Sequence, residues 1–405
     1  MNLLIKYWLW IQSSQLDIPL QFFGSIFCVI ALFCIISKLS RPKDKASGTF
    51  TVLYSFSVSE TLMIVRKIIQ FFTDFYRGTN IMQTQTVSDD YWLFKVFGFG
   101  MSPLDQRPVF DMGEDFFLGT LGSLLTAIGL FGYLRIKNKK PAKKEKLSFK
   151  AWLKVIPDKC MAKYDVEMHK LTKQTNLADR MIWWCVRALM LHAFITMENR
   201  AEAVLLLVNF LGTIAISVLH IFAPSESFLG RISYRVQTLL TIIVFWGSYG
   251  GNYIVLYGFI DRFDKKLHFL SGIICVLAAY YLASEFVDKK SKIGRVLIGV
   301  FAAVFSMMII PVHEMTEFVG DFLWGTVNQG YRWLPDPDSP FYKIFGFGAE
   351  NVGLDSVFDT MNDALFATAS TVIAMVPLSV YLLICGKKST DKGYKTDTEN
   401  QLIAH

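Results

Sequence analysis

Apolar residues run in long blocks along nearly the whole chain, broken by short polar or basic segments. An α-helix needs about 20 apolar residues to cross the hydrocarbon core of a bilayer. Nine such runs are read, at 18–38, 50–76, 115–134, 181–197, 201–222, 236–260, 264–286, 296–324 and 363–385. The fourth is short and carries Arg187 and His192. Nothing in the pattern alternates with the period of a strand, so an all-α polytopic membrane protein with about nine transmembrane helices is expected.

The pattern also occurs twice, 247 to 248 residues apart. Lys95-Val-Phe-Gly-Phe-Gly100 returns as Lys343-Ile-Phe-Gly-Phe-Gly348, and Phe110-Asp111 with Asp115 returns as Phe358-Asp359 with Asp363. Asp74-Phe75 matches Asp321-Phe322, Leu20-Gln21-Phe22 matches Leu267-His268-Phe269, and Asp17 and Cys28 match Asp264 and Cys275. A fixed period of this kind marks an internal duplication. The chain then divides into an N-terminal three-helix repeat (1–137), a basic connector (138–180), three unique helices (181–260), a C-terminal three-helix repeat (261–388) and a polar tail (389–405).

Composition agrees with the membrane reading: 53% of the 405 residues are hydrophobic, and the mean hydropathy is positive at +0.37. The net charge of +7 does not point to nucleic acid. Its excess lies beside the spans, at Arg41 to Lys45, Lys137 to Lys173, Lys289 to Arg295 and Lys387-Lys388. With nine spans, all four clusters fall on the cytoplasmic side, as the positive-inside rule requires. The N-terminus and the loops 77–114 and 328–361 are then outside and the C-terminus is inside. Both repeats begin outside, which makes them parallel repeats about an axis along the membrane normal. The connector, with Trp152, Leu153 and Val155 among its lysines, reads either as a surface-lying helix on anionic lipid or as a solvated linker. Lys6 and Gln12-Ser-Ser-Gln15 interrupt the first apolar stretch, so residues 1–13 are expected at the interface and not as a cleaved signal. The six cysteines avoid the outer loops, so neither a disulfide framework nor a thiolate metal site is expected.

Candidate chemistry gathers at the outer ends of the last three spans. Val296 to Val312 climb about 25 Å at 1.5 Å per residue before His313-Glu314-Met-Thr-Glu317. His313, Glu317 and Asp321 form an i, i+4, i+8 stripe, with Glu314 beside it and Pro311 just before. The seventh span opens with Asp264 and His268, the ninth with Asp359 and Asp363, both i, i+4 pairs. Ionisable groups at membrane depth are costly, about 2.5–3.5 kcal/mol each at a helix centre, so such a cluster implies water, an ion or mutual pairing. Within the repeat, Gln21, Arg66, Lys67 and Gln70 stand opposite His268, His313, Glu314 and Glu317. Helix capping accounts for Asp111 and Asp359 as well as a ligand role does. It cannot account for acids inside a span. Two readings remain there: Arg66 and Lys67 pair with Glu314 and Glu317, or the imidazoles and carboxylates hold a cation. A mixed His/carboxylate set without thiolate suits Fe(II), Mn(II) or Zn(II). His-Glu-x-x-Glu lacks the last His of the zinc-protease helix. The paired Phe-Gly turns lack a phosphate-loop context, and His192 and His220 are isolated.

Asp264-x-x-x-His268-x-x-x-Gly272, Glu314-x-x-Glu317 and Asp359-x-x-x-Asp363, in that order, resemble the bacterial inner-membrane family typified by YjdF, over about 181–385. A looser likeness is to VanZ-type proteins. The resemblance implies a site and a bacterial inner membrane, but no chemistry. This chain departs from it in His313 and in the added N-terminal repeat. Glu-x-x-Glu is also similar to an element of iron permeases. The end of the tail, with Asp397, Glu399 and Leu402-Ile403, resembles a C-terminal bacterial secretion signal, which implies export to a host membrane as a second location.

These readings converge on a permease for a divalent metal, Fe(II) or Mn(II) favoured, with Asp264, His268, His313, Glu314, Glu317, Asp321, Asp359 and Asp363 as ligands or vestibule. The expected partners are the lipid bilayer and the metal ion, taken as ligand or substrate. Arg66 and Lys67 would serve as a tethered countercharge. A membrane-embedded, metal-dependent enzyme acting on a lipid or envelope substrate, with Glu314 as general base, is the alternative. A structural protein with an internal ion-pair cluster is the third.

Overall fold

A computed structural model describes residues 17–40, 44–77, 107–137, 177–198, 200–223, 227–254, 259–260, 263–324 and 355–402; side chains at several helix ends, among them 17–20, 71–77, 107–115, 318–324, 355–359 and 385–402, lie outside that description. Among these residues every regular element is helical. α1 spans Asp17–Ser40, α2 Lys45–Arg77, α3 Arg107–Lys137, α4 Leu177–Thr196 and α5 Arg200–Phe222. α6 is the single turn Phe228–Arg231, and α7, Tyr234–Phe245, runs on as a π-helix, Trp246–Tyr253. α8 is Phe263–Ser284, α9 Lys292–Trp324 and α10 Asp355–Leu402.

Six of these helices are long and apolar enough to cross a membrane: 21–40, 46–70, 116–136, 263–284, 292–317 and 360–384. They correspond to the spans expected in the two outer thirds of the chain. The three expected at 181–197, 201–222 and 236–260 are helical but are not among the six. α4 carries Arg180 and Arg187, the apolar stretch of α5 is limited to Leu206–His220, and α7 gives way to the π-turns of Trp246-Gly-Ser-Tyr-Gly-Gly-Asn-Tyr253. α10 continues past the apolar span to Leu402, so the tail is helical where an irregular one was expected. No proline follows Pro377 to stop it.

α1, α2 and α3 pack on one another, as do α8, α9 and α10, and the two trios join where α2 lies along α9. α4, α5 and α7 form a third group that reaches α8 through α7. At the join, Phe50 stacks on Phe286 with centroids 5.2 Å apart and packs on Phe301 at 4.7 Å; Tyr54 meets Phe301 at 5.1 Å. The Tyr54 hydroxyl donates to the Leu297 carbonyl (3.1 Å), which spares it the cost of an unpaired buried group. Further along, Ser57 Oγ donates to Met308 Sδ (3.2 Å) and Thr61 Oγ1 to the Val304 carbonyl (2.8 Å). Phe27, Ile69, Ile128, Val372 and Leu383 are more than half exposed on the outside of the bundle. That is the surface a lipid tail covers.

α2 and α9 begin alike. Asp44 Oδ1 accepts from the Ser47 N–H (2.8 Å) and Ser291 Oγ accepts from the Gly294 N–H (2.8 Å), each satisfying an orphan donor of the first turn.

Candidate metal site

The site lies at one end of the bundle, where α8 and α10 begin and α9 ends. α8 turns Asp264, Lys265 and His268 inward because they sit within one helical turn of each other. Lys265 Nζ contacts Asp264 Oδ2 at 3.0 Å and reaches across to α10, 2.8 Å from Asp363 Oδ1 and 2.9 Å from Oδ2. His268 Nε2 lies 3.3 Å from Asp264 Oδ1 and 3.7 Å from Asp363 Oδ1. On α9, His313 Nε2 meets Glu317 Oε1 at 3.1 Å, one turn on, and its ring stands 5.2 Å from that of His268.

Two trios follow, His268/His313/Glu317 and Asp264/His268/Asp363. In each, the ligand atoms lie within 4.8 Å of one another, and His268 belongs to both. Asp363 and His268 are buried, and His313 is 45% exposed at its side chain, so the first trio opens outward.

Glu314 is 1% exposed, and among the described residues only the Thr360 hydroxyl of α10 comes close enough to its carboxylate to serve as a donor. The charges that act on it are those of Glu317, Asp363 and Asp264, all acidic. A buried carboxylate surrounded by other carboxylates is among the costliest arrangements in a fold unless a cation joins it. Asp264 and Asp363 meet here on Lys265, and Glu314 and Glu317 stand close by.

The sequence left two readings open at these glutamates: pairing with Arg66 and Lys67, or coordination of a cation. Among the described residues Glu317 contacts His313, and no ion pair of Glu314 or Glu317 with Arg66 or Lys67 is seen. The cation that does reach the site is Lys265, on Asp264 and Asp363, a residue to which sequence spacing assigned no role. Lys67 is itself fully buried, at the level where Glu314 stands in the other trio of helices. The side chains of Asp321 and Asp359 lie outside the described residues, as do Asp17, Asp111, Asp115 and the Phe-Gly loops. Pro311 lies inside α9 just before the site and withholds the hydrogen bond that Met307's carbonyl would receive. His220 Nδ1–H donates to the Leu229 carbonyl (2.8 Å) and the ring packs on Tyr234, an ordinary buried role.

The sequence also missed Glu60. It is buried in α2, where Oε2 accepts from Thr120 Oγ1 (2.7 Å) beside the Ser59–Ser123 hydroxyl pair. No spacing motif marks it.

A family model described as "Predicted membrane protein (DUF2238)" matches residues 179–383, half of the chain, covering α4 to the end of the apolar part of α10 and every described residue of the site. The match stops short of α1–α3. No curated protein and no solved structure matches the chain.

Proposed function

The chain belongs to the DUF2238 family of membrane proteins, and we propose that it is a permease for a divalent metal ion, with Fe(II) or Mn(II) favoured. The observation that carries this is the His268/His313/Glu317 trio, with the fully buried Glu314 close by and, among the described residues, no basic side chain seen on its carboxylate. Hard carboxylate oxygens with borderline imidazoles suit these ions better than Cu(I) or an organic cation. His313 and Glu317 meet the ion first, since they are the more exposed; His268 and Glu314 replace part of its water shell deeper in. Asp321 and Asp359 belong to the proposed ligand set by their sequence spacing alone. An acidic mouth in a low-dielectric wall concentrates cations before they bind.

The finer membrane arrangement is part of the same reading: nine spans, two parallel three-helix repeats, N-terminus outside and C-terminus cytoplasmic, in a bacterial inner membrane. Contacts at the α2–α9 join support the repeats. Ser57–Met308 and Thr61–Val304 exchange under a shift of 247 residues, as do Tyr54–Leu297 and Phe50–Phe301. Reciprocal contacts of that kind are what a twofold relation between like units produces.

The test is a thermal-shift series on purified protein with Mn(II), Fe(II), Zn(II), Mg(II) and Ca(II), then uptake into proteoliposomes. An ion bound only by the native state raises apparent stability by mass action. Wild type should be stabilised by Mn(II) or Fe(II), and Glu317→Gln should not be. Glu314→Ala and Glu317→Ala should fold and lose uptake; undiminished uptake in both rejects the function.

A further inference from the structure

Lys265 occupies the second trio in the way a bound cation would. Its Nζ lies 2.8–3.0 Å from three carboxylate oxygens, contributed by α8 and α10. The same Asp264 and Asp363, with the His268 imidazole, make a group whose ligand atoms come within 4.8 Å of one another. An ammonium is one charge with three donors, whereas a divalent ion draws carboxylate oxygens in to about 2.0–2.6 Å and carries twice the charge. Both cannot sit between Asp264 and Asp363 at once.

We infer that Asp264, His268 and Asp363 form a second divalent-cation subsite, and that Lys265 is its tethered competitor. The inference rests on the metal-binding reading of the neighbouring trio. The ammonium neutralises the two aspartates when no ion is present, and an ion passing from His268/His313/Glu317 displaces it. The displacement is short. The lysine stem is flexible, the side chain is 15% exposed, and it stands in the first turn of α8, from which its head can swing to the aqueous interface. His268 is the hinge of the transfer because its imidazole belongs to both trios. The arrangement keeps the pocket from holding an ion too tightly, which conduction requires of any site that must also release.

A purely structural Lys265, clamping α8 to α10, gives the opposite result on removal. Equilibrium binding of Mn(II) to full-length, detergent-purified protein, followed by metal content after desalting and by titration calorimetry, separates the two. Lys265→Gln should bind Mn(II) at least tenfold more tightly than wild type, and Lys265→Arg, which keeps the charge, should stay within threefold of it. Adding Asp363→Asn to Lys265→Gln should cancel the gain. If wild type binds Mn(II) and Lys265→Gln gains less than tenfold, or weakens, the competitor role is wrong while the metal reading stands. If neither protein binds Mn(II), Fe(II) or Zn(II), the metal reading fails and this inference with it. Lys265→Met serves in place of Lys265→Gln should the latter not give a monodisperse protein.

Discussion

The two three-helix units share several local features and differ at their polar ends. Positions 247 or 248 apart do the same work: Asp44 and Ser291 cap α2 and α9, and the Ser59–Ser123 hydroxyl pair (3.1 Å) corresponds to Ser306–Thr371 (2.7 Å). The first and third helices of each unit also cross closely, at positions that are not counterparts under the shift. A side chain at Gly122 would stand 2.6 Å from the Phe22 carbonyl oxygen, and one at Gly272 would stand 2.8 Å from that of Ala367. The polar ends then part. Lys67 and Glu314, each 1% exposed, are counterparts of opposite charge. Glu60 has Met307 as its counterpart, so each unit buries one glutamate at a different level. The lesson is that interhelical hydroxyls and close crossings recur in both units, whereas the His/carboxylate cluster lies in one of them.

The largest effect expected from disturbing this comparison is at the ligands. Glu314→Lys puts in the second unit the charge that the first carries at Lys67, and should abolish metal-dependent stabilisation and uptake altogether; retained uptake would separate the site from transport. Next come the crossings. Gly272→Val and Gly122→Val force side chains into neighbouring backbone, with overpacking costs of about 1–3 kcal/mol each. Both should lower the detergent melting temperature by similar amounts. A loss at one only would mean that the two crossings do not contribute alike to stability. Smaller again are the hydroxyl pairs. Ser59→Ala and Ser306→Ala should each cost about 0.5–1.5 kcal/mol, with Ser306→Ala the larger because its hydroxyl also reaches the Gly272 carbonyl (3.0 Å).

The smallest effect belongs to the Asp44 cap. Burial would raise its carboxyl, but the Ser47 backbone N–H and Arg231 at 2.7 Å outweigh it and hold the group below its ordinary range. A carboxyl lowered in the fold stabilises above its unfolded pKa of about 3.9, and that contribution is lost as pH falls through the folded value. Because the pair is substantially exposed, at most about 1 kcal/mol is at stake. Asp44→Asn should therefore flatten the acid limb of a melting-temperature profile slightly and leave the neutral limb near wild type. An unchanged acid limb would show that the α2 cap does not need the charge.

Sequence alone determined the membrane helices of the two outer thirds, because apolar run length is set by bilayer thickness and owes nothing to tertiary contacts. It also picked out Asp264, His268, His313, Glu314, Glu317 and Asp363 from i, i+4 spacing and from the contrast between units. It could not say which cation faces those acids. Lys265 and Lys67 look alike along the chain, and only the packing of α8 on α10 brings the first to the aspartates. Nor could it show that Glu314 is fully buried or that Glu60 is buried on Thr120. Those are properties of distance between helices far apart in sequence, and tertiary packing sets them.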